Sequence, residues 1–220
     1  VADGPAGGAR VDLDAALAAL DVALPADAGG RLRAYLTLLA KWNRVYNLTA
    51  VREPERMVTH HLLDSLAVLP LLAGGPGTRV LDIGTGAGLP GIPLAIARPK
   101  WALTLIDANQ KKASFVQQAI SELGLRNAVA QAIRAEALPP GVGFDLVISR
   151  AFAELAAFVA VARPLLAPRG RIVAMKGQLP QPEIDALPAG VRVVAAPSLS
   201  VPGLPAQRHL VIIEATESRP

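Results

Sequence analysis

From Thr78 to Lys176 the chain alternates short apolar runs with stretches of helical periodicity, and this alternation limits the fold more than any other feature. The runs are "TRVLDI" (78–83), "WALTLID" (101–107), "NAVAQAI" (127–133), "FDLVIS" (144–149) and "GRIVAMK" (170–176). Between them lie helical segments such as "KKASFVQQAISELG", which ends on Gly124, a residue suited to a helix C-cap. Strand and helix alternating at this spacing predict parallel βαβ units. Two later runs, "VRVVAAPSLSV" and "QRHLVIIEA", have only a Pro- and Gly-rich loop between them. With no helix to cross over, they are expected to form an antiparallel hairpin at one edge.

Before residue 78 the pattern is helical throughout. Leu13, Ala16, Leu17, Leu20 and Leu24 repeat at helical spacing, as do Leu32, Tyr35, Leu36, Leu39, Trp42 and Tyr46. A third run from Met57 to Leu69 follows Pro54, a good first-turn residue. Gly29-Gly30 reads as the break between the first two helices, and "AGGPG" (73–77) closes the region. The expected architecture is a doubly wound, Rossmann-like α/β sheet, mostly parallel with a C-terminal antiparallel hairpin. A helical extension, 1–75, precedes the ligand-binding part, 76–220, in one compact unit. At 220 residues that is one domain, or one with an appendage.

In an open α/β sheet the ligand sits outside the carboxyl ends of the strands, near the point where strand order reverses. The loop after the first strand is "DIGTGAGLPG". It contains G-x-G-x-x-G at Gly86, Gly88 and Gly91, the letters of a dinucleotide fingerprint. The strand, however, ends at Gly84, two residues earlier, so that match reads as an accident of register. Asp82 also lies within the strand end. A carboxylate there opposes a pyrophosphate but suits a sulfonium and an ammonium group. Asp82, Gly84 and Gly86 therefore favour S-adenosylmethionine over NAD, with a ligand-free turn as the plain structural alternative. Asp107 ends the second strand, where an acid takes ribose hydroxyls in either cofactor class. "RAEAL" (134–138) follows the third strand, where an adenine edge would lie.

The reacting atom belongs beside the loop after the fourth strand, "ISRAFA" (148–153). No Asn/Asp-Pro-Pro-aromatic loop for an exocyclic amine occurs there. The chain has no cysteine, which excludes the nucleophile of pyrimidine C5 methylation as well as disulfides and thiolate zinc sites. An acceptor that already owns a lone pair, such as guanine N7, needs no general base, only alignment. Arg150 is a candidate to orient a base or phosphate. His60 and His61 are adjacent, about 100° apart on a helix, and do not form a metal-binding pair. No metal is expected.

Net charge is +4 but uneven. Residues 1–30 hold one Arg and five Asp, whereas residues 31–60 hold six basic and two acidic residues. A further acid-free stretch, 161–180, contains Arg163, Arg169, Arg171 and Lys176. Clustered positive charge suits a polyanion, and Lys41, Arg44 and Arg52 are candidate phosphate contacts. The neighbouring Trp42 and Tyr46 fall on the apolar stripe and are read as core. No signal-peptide pattern and no window of about 20 apolar residues are present, so a soluble, cytoplasmic protein is expected.

Several segments together resemble the RsmG (GidB) family of bacterial 16S rRNA guanine-N7 methyltransferases. They are "KWNRVYNLTAVREPERMVTHHLLDSL" (41–66), "DIGTGAGLPGIPLAIARP" (82–99), "LIDANQKKASFVQQ" (105–118), "FDLVISRAFA" (144–153), "MKGQ" (175–178) and "RHLVIIEA" (208–215). The resemblance implies a class I methyltransferase fold with a helical N-terminal extension. It implies methyl transfer from S-adenosylmethionine to N7 of one guanine in 16S rRNA, either naked or in an assembling small subunit; a monomer is expected, although the sequence does not fix the oligomeric state. It also implies cofactor contacts at Gly84, Leu89, Ala135, Glu136 and Arg150, with Leu89 closing over the ligand. The sequence departs at His60, where relatives tend to carry Arg or Lys. A NAD-dependent oxidoreductase and a non-catalytic RNA-binding module remain the competing readings.

Overall fold

The computed structural model describes residues 12–216. Its centre is a seven-stranded sheet of order β3-β2-β1-β4-β5-β7-β6. The strands are β1 (Arg79–Ile83), β2 (Ala102–Ile106), β3 (Ala128–Gln131), β4 (Phe144–Arg150), β5 (Leu166–Lys176), β6 (Val191–Ala195) and β7 (His209–Ala215). β1 to β5 pair in parallel, and β7 runs antiparallel to both β5 and β6. The C-terminal hairpin therefore enters the sheet by its second strand and leaves β6 at the edge. Strand order reverses between β1 and β4, which places the ligand crevice above their carboxyl ends.

Helices cover both faces. On one lie α1 (Leu13–Ala18), α2 (Ala28–Tyr46), α3 (Pro54–Met57), α4 (Asp64–Leu66), α5 (Gly91–Ala97) and α6 (Gln110–Glu122). Leu32, Tyr35 and Leu39 of α2 share one apolar core with Leu89, Ile92 and Phe115, so the helical extension is packed into the sheet layer. On the other face α7 (Leu155–Ala162) buries Leu155, Phe158 and Ala162 against Leu81, Val147 and Ile172, and α8 (Gln181–Asp185) lies at its edge. The α6 C-terminus is capped as its sequence indicated. Gly124 takes φ +61°, and the Leu125 N–H closes back on the Ile120 carbonyl.

Three local readings need correction. Gly29 and Gly30 do not separate two helices, because they fall inside the first turn of α2. The missing side chain at Gly29 leaves room for the Asp14–Arg33 ion pair, whose Asp14 Oδ1 lies 3.2 Å from where a Cβ would stand. The run from Met57 to Leu69 is also not a plain helix. A π-helical turn, Val58–Leu63, separates α3 from α4. Finally, Tyr46 is not core. It is 45% exposed and rests on Trp42, which itself packs on Phe115.

Candidate functional site

The turn after β1 is held from both sides. The amides of Gly84 and Thr85 both donate to the Ile106 carbonyl of β2, at 2.9 and 3.0 Å. Gly84, Gly86 and Gly88 all have positive φ, a conformation that side-chain-bearing residues adopt only at a cost. The Gly86 amide donates to Asp107 Oδ2 at 2.9 Å, and the Asn109 amide donates to Asp107 Oδ1 at 2.8 Å. Asp107 thus ties the glycine loop to the start of α6.

Asp82 lies beneath the loop, 1% exposed. Its Oδ2 accepts from Thr85 Oγ1 at 2.6 Å and from the Gly91 amide at 2.9 Å. Its Oδ1 is buried without a hydrogen-bond partner. Burial pushes the carboxyl up to about 6, against the opposing pull of the Thr85 and Gly91 hydrogen bonds. Gly91 is more than an accident of register. A Cβ there would stand 2.4 Å from Leu105 Cδ2 and 2.8 Å from Asp82 Oδ2. The last glycine of the motif therefore lets α5 pack on β2.

A cleft of about 180 Å³ opens beside this turn, lined by Gly84, Asp107, Ala135, Glu136 and Phe152 among others. It brings together residues from the ends of β1 and β2, the turn after β3 and the loop after β4. Leu89 does not line it. It is 2% exposed and belongs to the core shared with α2.

Arg150 lines a second cleft of about 360 Å³, with His60, Asp64, Lys176 and Arg208. The consecutive residues Ala151 and Phe152 line one cleft each, so the two adjoin at the β4 loop. Ala151 has φ +64°, an uncommon backbone state that clusters at functional sites. Arg150 Nη1 donates to the His60 carbonyl at 2.9 Å and to Asp64 Oδ2 at 3.3 Å. Arg208 Nε donates to Asp64 Oδ1 at 2.9 Å. Asp64, 3% exposed, is therefore a buried anion between two guanidinium groups.

The π-turn makes the first of these contacts possible. In an α-helix the Asp64 amide would bond the carbonyl of His60. Here it bonds those of Thr59 and His61, and the His60 carbonyl takes Arg150. Sequence reasoning did not single out Asp64 or Arg208 as site residues, although both fall in segments that carry the family resemblance. Lys176 is held by Glu183 Oε2 at 2.8 Å and by the Phe152 carbonyl at 3.2 Å, which fixes the β4 loop.

The end of α2 feeds into this cleft. Asn47 terminates the helix in the left-handed conformation and accepts from Arg52 at 3.0 Å. Asn43, buried, accepts from the Thr49 amide and donates to the Val51 carbonyl. Thr49 Oγ1 meets His61 Nε2 at 2.9 Å. Desolvation, aided by the Arg150 charge, lowers the His61 ring to about 4, so the imidazole is neutral. Lys41 and Arg44 line a separate groove with Pro54 and Met57, so the three candidate phosphate contacts flank the helix end rather than the cleft. Among the described residues, no group of His, Asp and Glu is placed to hold a metal ion.

Comparison with known proteins agrees with this architecture. The family model for rRNA small subunit methyltransferase G matches residues 30–211. The ribosomal RNA small subunit methyltransferase G of Laribacter hongkongensis is 54% identical over 202 residues, 92% of this chain and 96% of that one. Its counterpart from Ralstonia nicotianae is 52% identical over 210 residues, 93% and 94% of the two chains. A SAM dependent methyltransferase from Aquifex aeolicus superposes with a TM-score of 0.56 at 18% identity, over 81% of this chain and 97% of its own. That last likeness concerns the fold alone. With the family model spanning most of the chain and relatives more than half identical along it, the chain belongs to the rRNA small subunit methyltransferase G family.

Proposed function

We propose that the protein is an S-adenosylmethionine-dependent methyltransferase that modifies N7 of a guanine in 16S rRNA. The observation that carries this reading is the pair of adjoining clefts at the β1–β4 switch point, one lined by the carboxylates of Asp107 and Glu136 and one cationic. The first fits the cofactor by its donor set. Asp107 and Glu136 offer acceptors for ribose and adenine, Gly84 brings backbone to the surface, and Asp82, beneath the glycine loop, keeps a buried Oδ1 without a partner. An unpaired buried carboxylate is costly, and a nearby cation offsets that cost.

Bound S-adenosylmethionine supplies an electrophilic methyl on a sulfonium. The residues of this chain supply position. Guanine N7 has no proton to remove, so no general base is needed, and neutral His61 offers none of unusual strength. Arg150, braced by Asp64 and the His60 carbonyl, is fixed where it can orient a base or phosphate. Its braced geometry matters because in-line alignment is the main source of rate. Lys41, Arg44 and Arg52 add phosphate contacts around the end of α2. We read the protein as cytoplasmic and monomeric. No described helix is long and apolar enough to cross a membrane.

The test compares 16S rRNA from cells with and without the protein by mass spectrometry of nucleosides. One N7-methylguanosine per 16S molecule is expected to disappear, and an unchanged content would overturn the substrate assignment.

A further inference from the structure

A sizeable cavity lies outside the candidate active site. It is a groove of about 880 Å³ at the opposite end of the sheet, where β5 and β6 begin and β7 ends. Four arginines line it, Arg163, Arg169, Arg171 and Arg192, around a single carboxylate, Glu214. Arg171, Glu214 and Arg192 form one row across three strands, with Arg171 Nε 2.8 Å and Arg192 Nη2 3.0 Å from the carboxylate. Arg163 and Arg169 form no ion pair among the described residues.

The backbone is shaped to present these charges. Between the pairs Phe144↔Leu166 and Leu146↔Arg171, β4 advances two residues while β5 advances five. The extra residues form a bulge that carries Arg169 at φ +64°, a left-handed state that costs an arginine about 1–2 kcal/mol. Gly170 makes the bulge possible, since a Cβ there would stand 2.7 Å from the Phe144 carbonyl. At Gly190 a Cβ would meet the Arg163 guanidinium at 2.8 Å, so that side chain is packed against the turn into β6. Strain at Arg169 and two glycine-only contacts maintain this arginine-lined surface.

We propose that this groove is a second RNA-binding site, which grips the phosphodiester backbone of the rRNA remote from the methylated base. Guanidinium groups pair with phosphate oxygens in a bidentate manner. No aromatic side chain lines the groove to stack a base, so it reads backbone rather than nucleobase. Measured along β4, it lies ~20 Å from Arg150, given about 3.3 Å per residue. A folded rRNA spans that distance, whereas a short oligonucleotide in the active-site cleft does not. The site rests on the RNA reading of the protein but adds a partner surface to it.

The test uses the full chain carrying Arg163→Gln and Arg169→Gly, the second of which removes charge while relieving backbone strain. Affinity for a 16S rRNA transcript, for a short hairpin of the target loop and for pyrophosphate is measured across a salt series. Transcript affinity is expected to fall about tenfold, with a salt slope shallower by roughly 1–2 as phosphate contacts are lost. Hairpin affinity and S-adenosylhomocysteine affinity are expected to stay the same. Unchanged transcript binding overturns the site even if the parent methylates N7 normally. Loss of pyrophosphate binding alone reassigns the groove to a small polyanion and also overturns it. Weakened transcript binding in a protein without methylation activity keeps the site and removes the enzymatic reading instead.

Discussion

The hydroxyl of Tyr35 donates to the carbonyl of Ala87 at 2.7 Å, fully buried, and so pins the glycine loop to the helical layer. Burial raises the phenol far above its ordinary value, so it stays a donor at any working pH. Tyr35→Phe leaves that carbonyl without its partner, at a cost of about 1–3 kcal/mol. Chemical denaturation should show that loss, and calorimetry should show weaker S-adenosylhomocysteine binding with no change in RNA affinity.

Asp82 has a folded value of about 6 against an ordinary value of 3.8. The folded state therefore holds its proton longer, and the group removes stability as pH rises from about 4 through 6. The full effect is on the order of 3 kcal/mol. Asp82→Asn preserves an acceptor for Thr85 and Gly91 and should abolish this decline. A variant that keeps the decline would show that another group carries it.

His61 acts with the opposite sign. Its folded value of about 4 lies below the ordinary 6.5, so the folded state binds fewer protons. Stability is lost as pH falls from 6.5 to 4, again on the order of 3 kcal/mol. In the parent the two slopes offset each other between pH 4 and 6. Urea midpoints of Asp82→Asn should rise steeply with pH in that window, and those of His61→Gln should fall.

Arg150→Lys retains the charge but loses the guanidinium that reaches both the His60 carbonyl and Asp64. Arg150→Met also strips Asp64 of one cation. Single-turnover rates are expected to drop roughly 10-fold or more for lysine and further for methionine, by analogy with other lost positioning contacts. Thermal stability should fall more for methionine, since it unbalances a buried charge. Equal rates in parent and lysine variant would exclude a positioning role.

Gly84 and Gly91 should separate cleanly on alanine substitution. A Cβ at Gly84 meets open space and costs only its φ of +68°, about 1–2 kcal/mol. A Cβ at Gly91 collides with Leu105 and Asp82, and overpacking of this kind costs about 1–3 kcal/mol or more. Gly84→Ala should fold and lose cofactor affinity, whereas Gly91→Ala should lose soluble expression or melt many degrees lower.

What could be read in advance follows from range. Each of the seven strands announces itself in a local apolar run, and Gly124 marks a helix end by its own backbone freedom. The π-turn leaves no such trace, because Val58, His61 and Leu62 fit a helical stripe with or without one extra residue. Tyr46 continues the α2 stripe, but the helix ends at Asn47 and the side chain reaches no further than Trp42. Glycine-loop spacing pointed to the turn beside which the first cleft opens. It could not show that Leu89 turns into the core, since burial of a loop residue depends on the helix laid over it.

Asp64 and Arg208 lie 144 residues apart in the chain, and this separation bears on when the second cleft is complete. During translation Asp64 emerges 144 residues before Arg208. Until β7 docks, the acid faces a single guanidinium and the wall of the cleft formed by the Arg208 segment is absent. A nascent chain that has not yet released β7 lacks the second cation beside Asp64. Assembly of this cleft is thereby coupled to the docking of β7.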